Sequence, residues 1–488
     1  MKSSFLRELT LYRFRYYIGY GVFAALLVLI LAIDISGIPR GLTDAEMTSA
    51  VASNKISITA PHTADIINLP YHLAQKLSIT LLGLTPLAIK LPSIILAFIT
   101  GVALAFMLSS WFSRNVAVVA SLLACTSVPF ITMGRTGAPL IMVTVWTIFL
   151  LLAATKLTTK TTGTFHWKLA ALVSGILLLY TPLGIYPIAA LAVSGLLHPH
   201  IRHQIKRTKP WQAIVFALLS LLLLAPLFVA VIVRPSVLLA ITGVDGFITS
   251  FGALQQSVVS LFKTFFSFSQ SFVGVSIAPY FGFTVTLITI LGFLRVVKDH
   301  YAARSYMLLI WAGVVAVLVI LSPSQTQLVF TPAVLFLAVG VETLIREWYS
   351  LFPRNPYARI GALIPLTIIV LGTVNVSMSR YFDGYLYTPH VQGFHAELPA
   401  VRTAFNDDAS SSKRLVVPAD QISFYDMLRR EYPHLIVATT TSQDTTVRQA
   451  VIASSPVQLN KVPATILTGP LQDDGVLVRV YGPKPLRL

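Results

Sequence analysis

The chain has 488 residues, 55% of them hydrophobic and only 11% charged, with a formal net charge of +17. A soluble globular chain carries roughly 25% charged residues, so a soluble enzyme is excluded. A basic excess in a soluble protein would point to nucleic acid; here membrane topology accounts for it, and no nucleic-acid partner is expected.

Apolar runs suited to crossing the ~30 Å hydrocarbon core are predicted near Tyr17–Ile38, Pro86–Ser109, Val116–Thr132, Ala138–Ala154, Leu169–Tyr180, Ile185–Leu197, Trp211–Val233, Phe281–Leu294, Tyr306–Leu321, Leu328–Leu344 and Ile360–Val376. The expected fold is therefore a polytopic α-helical membrane protein of about 11 transmembrane helices; strand-length alternation is missing from the apolar part, which disfavours a β-barrel. The first run lacks a small-residue cleavage site and reads as a retained anchor. With the N-terminus cytoplasmic, the inner segments hold 18 Lys and Arg and the outer loops before the tail only six. That bias fixes the orientation and places the C-terminal part outside, in an integral plasma (inner) membrane protein.

Three outer segments follow in chain order. The first, 39–85, holds most of an acidic cluster. Residues 1–379 contain nine acidic residues, and four of these are Asp34, Asp44, Glu46 and Asp65. Ionisable groups this scarce and this clustered are candidates for function. Asp44 and Glu46 can serve as general base or metal ligand. Thr43-Asp44-Ala45-Glu46 also matches a capping box, and the two readings are compatible if Glu46 caps while Asp44 faces the site. Asp65 is a possible second acid. His62 and His72 could bind metal, with interfacial polar residues as the plain alternative; Leu69–Leu77 and the Asp44 segment read as short helices lying in the interface. The second outer segment, 234–280, carries Phe251, Leu254, Val258, Leu261, Phe262 and Phe265 at helical spacing, an interfacial helix. The third runs from residue 380, holds ten of the 19 acidic residues, and reads as an extracytoplasmic α/β domain, 380–488. Strands are predicted at Arg414–Pro418, His434–Ala438, Ala464–Leu467 and Val476–Val480, and helices at Gln421–Glu431 and Thr446–Ser454. No GxGxxG or Walker sequence occurs. The only cysteine, Cys125, lies in a span, so no intramolecular disulfide is possible. The run His198-Pro199-His200-Ile201-Arg202-His203 is read as a solvated cytoplasmic loop.

Four motifs carry a resemblance. Pro39-Arg40-Gly41-Leu42-Thr43-Asp44-Ala45-Glu46 resembles the first-loop signature of GT-C membrane glycosyltransferases, in the group of the protein mannosyltransferases and lipid A aminoarabinose transferases. Asn68-Leu69-Pro70-Tyr71-His72-Leu73 is similar to its Pro-Pro-Leu-Tyr-Tyr segment. Leu82-Gly83-Leu84-Thr85-Pro86-Leu87-Ala88-Ile89-Lys90-Leu91-Pro92-Ser93 resembles its Phe-Gly…Arg-Leu-Pro-Ser, and Cys125-Thr126-Ser127-Val128-Pro129-Phe130 with Gly134-Arg135-Thr136-Gly137 resembles its third-span ending. The resemblance covers residues 20 to 150. It implies a sugar donor on a polyprenyl phosphate, an acceptor (protein, lipid or glycan) entering from the outer face, Asp44 as base or acceptor-orienting group, and inversion at the anomeric carbon. Arg135 and Lys90 are the candidates for the donor phosphate, with snorkelling and a structural role as their alternatives; Tyr71 and His72 would line the pocket. Three departures leave the family's divalent cation (Mg or Mn) open. Asp44-Ala45 replaces an adjacent acidic pair, Gly137-Ala138-Pro139-Leu140 lacks an acidic residue, and Ile66-Ile67 replaces charged residues.

The leading expectation is a polyprenyl-phosphate-sugar-dependent inverting glycosyltransferase of the cell envelope. The alternatives are a non-catalytic scaffold member, a transporter or binding protein for lipid-linked glycans, and a structural protein with a wall-binding tail. The expected site is an outer-surface cavity lined by Asp44, Tyr71, His72 and Arg135, with the Phe251–Phe265 helix near its mouth.

Overall fold

The structure, a computed structural model, describes residues 15–56, 65–159, 163–197, 202–203, 208–266, 280–351, 356–386, 394–406, 412–442, 447–455, 462–469 and 475–481. His62 and residues 198–201 of the histidine-rich run lie outside the described residues.

Each predicted span contains a helix. Among the described residues, five helices are long and apolar enough to cross a membrane: Pro86–Trp111, Pro139–Thr159, Pro210–Val233, Ala303–Leu321 and Pro323–Ser350. The third predicted span is a broken one, Arg114–Cys125 and Val128–Arg135, bent by 61°. Pro129 causes the break: it has no N–H for the Cys125 carbonyl, and its ring would collide there. Shorter apolar helices, Tyr17–Ala32, Phe165–Leu179 and Ile185–Leu197, stand at three more predicted spans. The Pro210–Val233 helix buries none of its residues, as a helix facing lipid on the outside of a bundle would. Inside the bundle the core runs through Leu27, Leu104, Phe130, Ile148, Trp311 and Phe330. Cys125 belongs to that core and is buried.

The 31-residue helix Pro356–Leu386 carries the chain through the boundary expected at residue 380. Beyond it lies a five-stranded sheet of order β4-β3-β5-β7-β6, with β3 Lys413–Val416, β4 Leu435–Ala438, β5 Arg448–Ile452, β6 Thr465–Thr468 and β7 Val476–Tyr481. β3 pairs in parallel with β4 and β5; β7 pairs antiparallel with β5 and β6. The helix predicted over Thr446–Ser454 is a correction: its centre is β5. All five residues of that strand are buried, so the alternation that marks a one-faced strand is missing. The Gln421–Glu431 helix shrinks to Ile422–Tyr425 flanked by two 3-10 turns, and a helix at Glu397–Asn406 was not foreseen.

The two helices of segment 39–85, Asp44–Lys55 and Leu69–Leu82, do not simply lie on the interface as expected. Leu42, Met47, Ala50, Ile79, Leu84 and Ile89 share one apolar cluster with Leu398, Val401, Phe405, Phe424 and Leu428 of the C-terminal unit. A two-stranded ribbon joins the parts as well, β1 (Leu42–Thr43) pairing antiparallel with β2 (Phe394–His395). Gly41 makes this approach possible. Its φ is +79°, and a Cβ there would lie 2.4 Å from the His395 carbonyl oxygen. On the far side, Glu431 accepts from the Leu84 amide at 2.6 Å and pairs with Arg402 at 2.9 Å.

Buried Cys125 provides a clean background for topology mapping. A cysteine at exposed Ser412 is expected to react with an impermeant thiol reagent from the extracytoplasmic side; reaction only from the cytoplasm would invert the assigned orientation.

Candidate active site

Thr43 and Glu46 begin the first-loop helix with the capping box that their spacing predicts. The Thr43 hydroxyl oxygen accepts from the Glu46 amide at 3.2 Å, and Glu46 Oε2 accepts from the Thr43 amide at 2.7 Å. Glu46 is buried, and its second oxygen accepts from the Gly137 amide at 2.6 Å. Both oxygens of Glu46 therefore face N–H donors, and a glutamine there would set its own amide hydrogens against one of them. Asp44, in the same turn, points the other way, with 78% of its side chain exposed.

Among the described residues Asp44 has one side-chain partner, which sequence inspection missed: Nε2 of His395 lies 2.8 Å from Asp44 Oδ1. The β1–β2 ribbon sets this pair, since His395 stands opposite Leu42. The amide Nε2 of Gln421 donates to His395 Nδ1 at 3.2 Å. With Nδ1 accepting, Nε2 carries the ring proton and donates to Asp44. The only hint in the sequence is that His395 is a histidine in the C-terminal part; a contact across 351 positions leaves no local pattern.

Beneath the helix, Gln75 is fully buried and fully used. Its carbonyl accepts from Ser49 at 2.8 Å and Ser53 at 2.6 Å, and its amide donates to the carbonyls of Ile89 (3.0 Å) and Gly137 (2.8 Å). His72 Nδ1 lies 3.0 Å from the Ser53 hydroxyl, and the Tyr71 hydroxyl 2.8 Å from that of Ser93. Tyr71 and His72 are both buried: His72 ties the two loop helices together, Tyr71 ties the second of them to the Pro86–Trp111 helix, and neither lines an open pocket as predicted. Burial pushes the Tyr71 phenol up and the His72 imidazole down, with Asp65 partly opposing the latter.

The His72 shift gives a pH test. The folded state keeps the imidazole neutral, whereas the unfolded chain takes up a proton near the ordinary value of 6.5. Its contribution is fully present above that value and is lost as pH falls below it. The thermal midpoint of the native chain is expected to fall between pH 7.5 and 5.5, and that of His72→Gln to fall less; equal slopes would exclude His72 as the cause.

Lys90 and Arg135 require correction as phosphate ligands, because both are fully buried. Lys90 Nζ reaches the carbonyls of Gly41 (3.2 Å), Pro39 (3.4 Å) and Ile35 (3.5 Å). The Arg135 guanidinium donates to the carbonyls of Ile30 (2.9 Å), Leu31 (3.3 Å), Asp34 (3.2 Å) and Ile38 (2.6 Å). It also lies 5.0 Å from the Phe382 ring centroid and 5.7 Å from that of Tyr381. The cause is local. The first helix ends at Ala32, leaving its last carbonyls without helical donors, and a cation at a helix C-terminus is favoured by the dipole as well. Both cations thus fix the chain that leads from the first span to Asp44.

Among the described residues, which exclude His62, the candidate metal ligands do not converge. Glu46 is committed to three N–H and O–H donors, Asp65 accepts from the Ile67 amide at 3.0 Å, and no group of three His, Cys, Asp or Glu is assembled among the described residues. These residues do not fit a divalent-cation site. The predicted four-residue cavity is not formed either. A cavity of about 120 Å³ lies instead between Asn68, Thr181, Gln325 and Gln327. The Phe251–Phe266 helix packs against Ala303–Leu321, with Phe251 and Phe262 exposed.

The sequence profile of the dolichyl-phosphate-mannose-protein mannosyltransferase family matches residues 70–229. No curated protein matches the sequence. ArnT from Cupriavidus metallidurans bound to undecaprenyl phosphate superposes with a TM-score of 0.56 at 11% identity, over 96% of this chain and 100% of that one. The archaeal oligosaccharyltransferase AglB from Archaeoglobus fulgidus, in complex with an inhibitory peptide and a dolichol-phosphate, gives 0.54 at 13% identity, over 87% of this chain and 64% of that one. Identities this low speak to architecture, which agrees with the span order and the first-loop motifs: the chain has the GT-C membrane fold, with a C-terminal region that carries a β-sheet.

Proposed function

We propose that the protein is a glycosyltransferase that moves a sugar from a polyprenyl-phosphate donor to an acceptor hydroxyl or amine at the outer face of the membrane, inverting the anomeric centre. The observation that carries this reading is the exposed Asp44 carboxylate, held by His395, while Glu46, Ser49, Ser53, His72 and Gln75 of the same loop are buried and paired. A carboxylate so placed takes the acceptor proton as the acceptor oxygen or nitrogen attacks the anomeric carbon. The bond from that carbon to the phosphate oxygen breaks, and polyprenyl phosphate leaves with the electron pair. His395 is a positioning residue in this scheme, since it acts through Asp44. The leaving phosphate needs a cation; Arg40, half-buried and close to Asp44 in sequence, is the candidate once Lys90 and Arg135 are assigned to the loop backbone. The likeness to proteins whose structures hold undecaprenyl phosphate or dolichol-phosphate supports the donor class.

The test is transfer by purified chain in liposomes containing undecaprenyl-phosphate hexose labelled in the sugar, with a membrane extract supplying protein, lipid and glycan acceptors. Label is expected to leave the carrier and enter an acceptor fraction. Intact donor that has crossed to the other leaflet would instead establish a transporter, and intact donor on its original side a non-catalytic binding protein.

A further inference from the structure

The Leu69–Leu82 helix presents two unlike faces. Tyr71, His72, Gln75, Ser78 and Ile79 are buried, whereas Leu73, Leu77 and Leu81 are exposed. Residues four apart lie one above another on a helix, so these three leucines form one stripe. Leu82 and Leu87, exposed as well, carry the apolar surface past the end of the helix. An exposed apolar surface of this length marks an interaction. It also runs into a span: Thr85 caps the Pro86–Trp111 helix, which is long and apolar enough to cross a membrane. An apolar stripe that continues into a span meets the same partner as the span, the acyl chains of the leaflet that the span enters at Pro86.

The C-terminal unit meets the chain at this same point. Arg402, which pairs with Glu431, donates to the Leu84 carbonyl at 2.7 Å while Glu431 accepts from the Leu84 amide. Gly83 permits the approach: its φ is +73°, and a Cβ there would lie 2.7 Å from Glu431 Oε1. The two residues before Glu431 are Arg429 and Arg430, both exposed. Arg429 pairs with Asp426 at 2.7 Å, as Arg402 does with Glu431. Arg430 is therefore the cation in excess at a joint that sits where a span begins, the level of the phospholipid headgroups. A basic side chain there attracts anionic lipid. We propose that the joint between the C-terminal unit and Leu84 is seated on anionic phospholipid, with Leu73, Leu77 and Leu81 among the acyl chains and Arg430 at a headgroup phosphate. The inference needs only that Pro86–Trp111 cross the bilayer and stands apart from the transfer reading above.

Photo-crosslinking of the full-length chain in nanodiscs of equal parts phosphatidylglycerol and phosphatidylcholine tests it. The photoreactive residue p-benzoylphenylalanine replaces either Leu81 or His434, the latter exposed and just beyond Glu431, and the captured molecules are identified by mass spectrometry. Both positions are expected to capture lipid. At His434 phosphatidylglycerol is expected to exceed phosphatidylcholine about fivefold, the effect of one basic side chain at an anionic surface. Arg430→Gln is expected to bring that ratio close to unity, with lipid capture at Leu81 unchanged as the sign that the joint still stands. Equal capture of the two lipids at His434 with Arg430 present, or an excess that survives Arg430→Gln, overturns the headgroup assignment. Capture of no lipid at His434, or of protein in place of lipid at Leu81, overturns the seat itself.

Discussion

Asp44→Asn is expected to slow sugar transfer by about 10²–10⁴-fold, the usual contribution of a positioned general base, with the chain still folded and the donor still bound. The substitution keeps the shape of the side chain and removes its ability to take a proton. Little else depends on it. The carboxylate is mostly exposed, and the helix start rests on Thr43 and Glu46. Donor consumption and donor binding, measured side by side, separate this from a structural effect: loss of both would make Asp44 a binding or folding residue, and native transfer would remove it from the chemistry.

Arg135→Met is expected to act on the fold, with transfer lost as a consequence. The substitution removes the donors to two carbonyls at the end of the first helix and two in the turn before Pro39. The Asp34 carbonyl keeps the Gly37 and Ile38 amides, so three acceptors lose their partner; at about 1–3 kcal/mol for each, the loss is on the order of 3 kcal/mol or more. Arg135→Lys is expected to recover only part of it, because one ammonium cannot reproduce the planar fork. The thermal midpoint in detergent reports the difference. An unchanged midpoint with donor binding abolished would restore Arg135 as a phosphate ligand and contradict the structural role.

The elements that are local in sequence were legible in it. Apolar runs announce the spans, and Thr43-Asp44-Ala45-Glu46 announces its own capping box, down to the division between a capping Glu46 and an outward Asp44. What long-range contact decides was not legible. Arg135 and Lys90 were expected to meet a phosphate because cations near an interface commonly do, yet the unpaired carbonyls that claim them belong to residues 30–41. Motif position puts Tyr71 and His72 in a pocket, but the Asp44–Lys55 and Pro86–Trp111 helices close over them through Ser53 and Ser93. His395 and Gln421 belong to a region that shows no motif and reach Asp44 only through the β1–β2 ribbon. The β5 strand misled for a related reason: burial of every one of its residues erases the periodicity from which strands are recognised.

The most direct measurement of the central claim, that Asp44 is the transfer base and His395 of the C-terminal unit positions it, is a double-mutant cycle on single-turnover donor consumption. The native chain, Asp44→Asn, His395→Ala and the double variant are compared in liposomes under the same donor load. Because His395 acts only through Asp44, the double variant is expected to be no slower than Asp44→Asn alone, with His395→Ala in between. Native rates in Asp44→Asn, or losses from the two substitutions that multiply in the double variant, would contradict it.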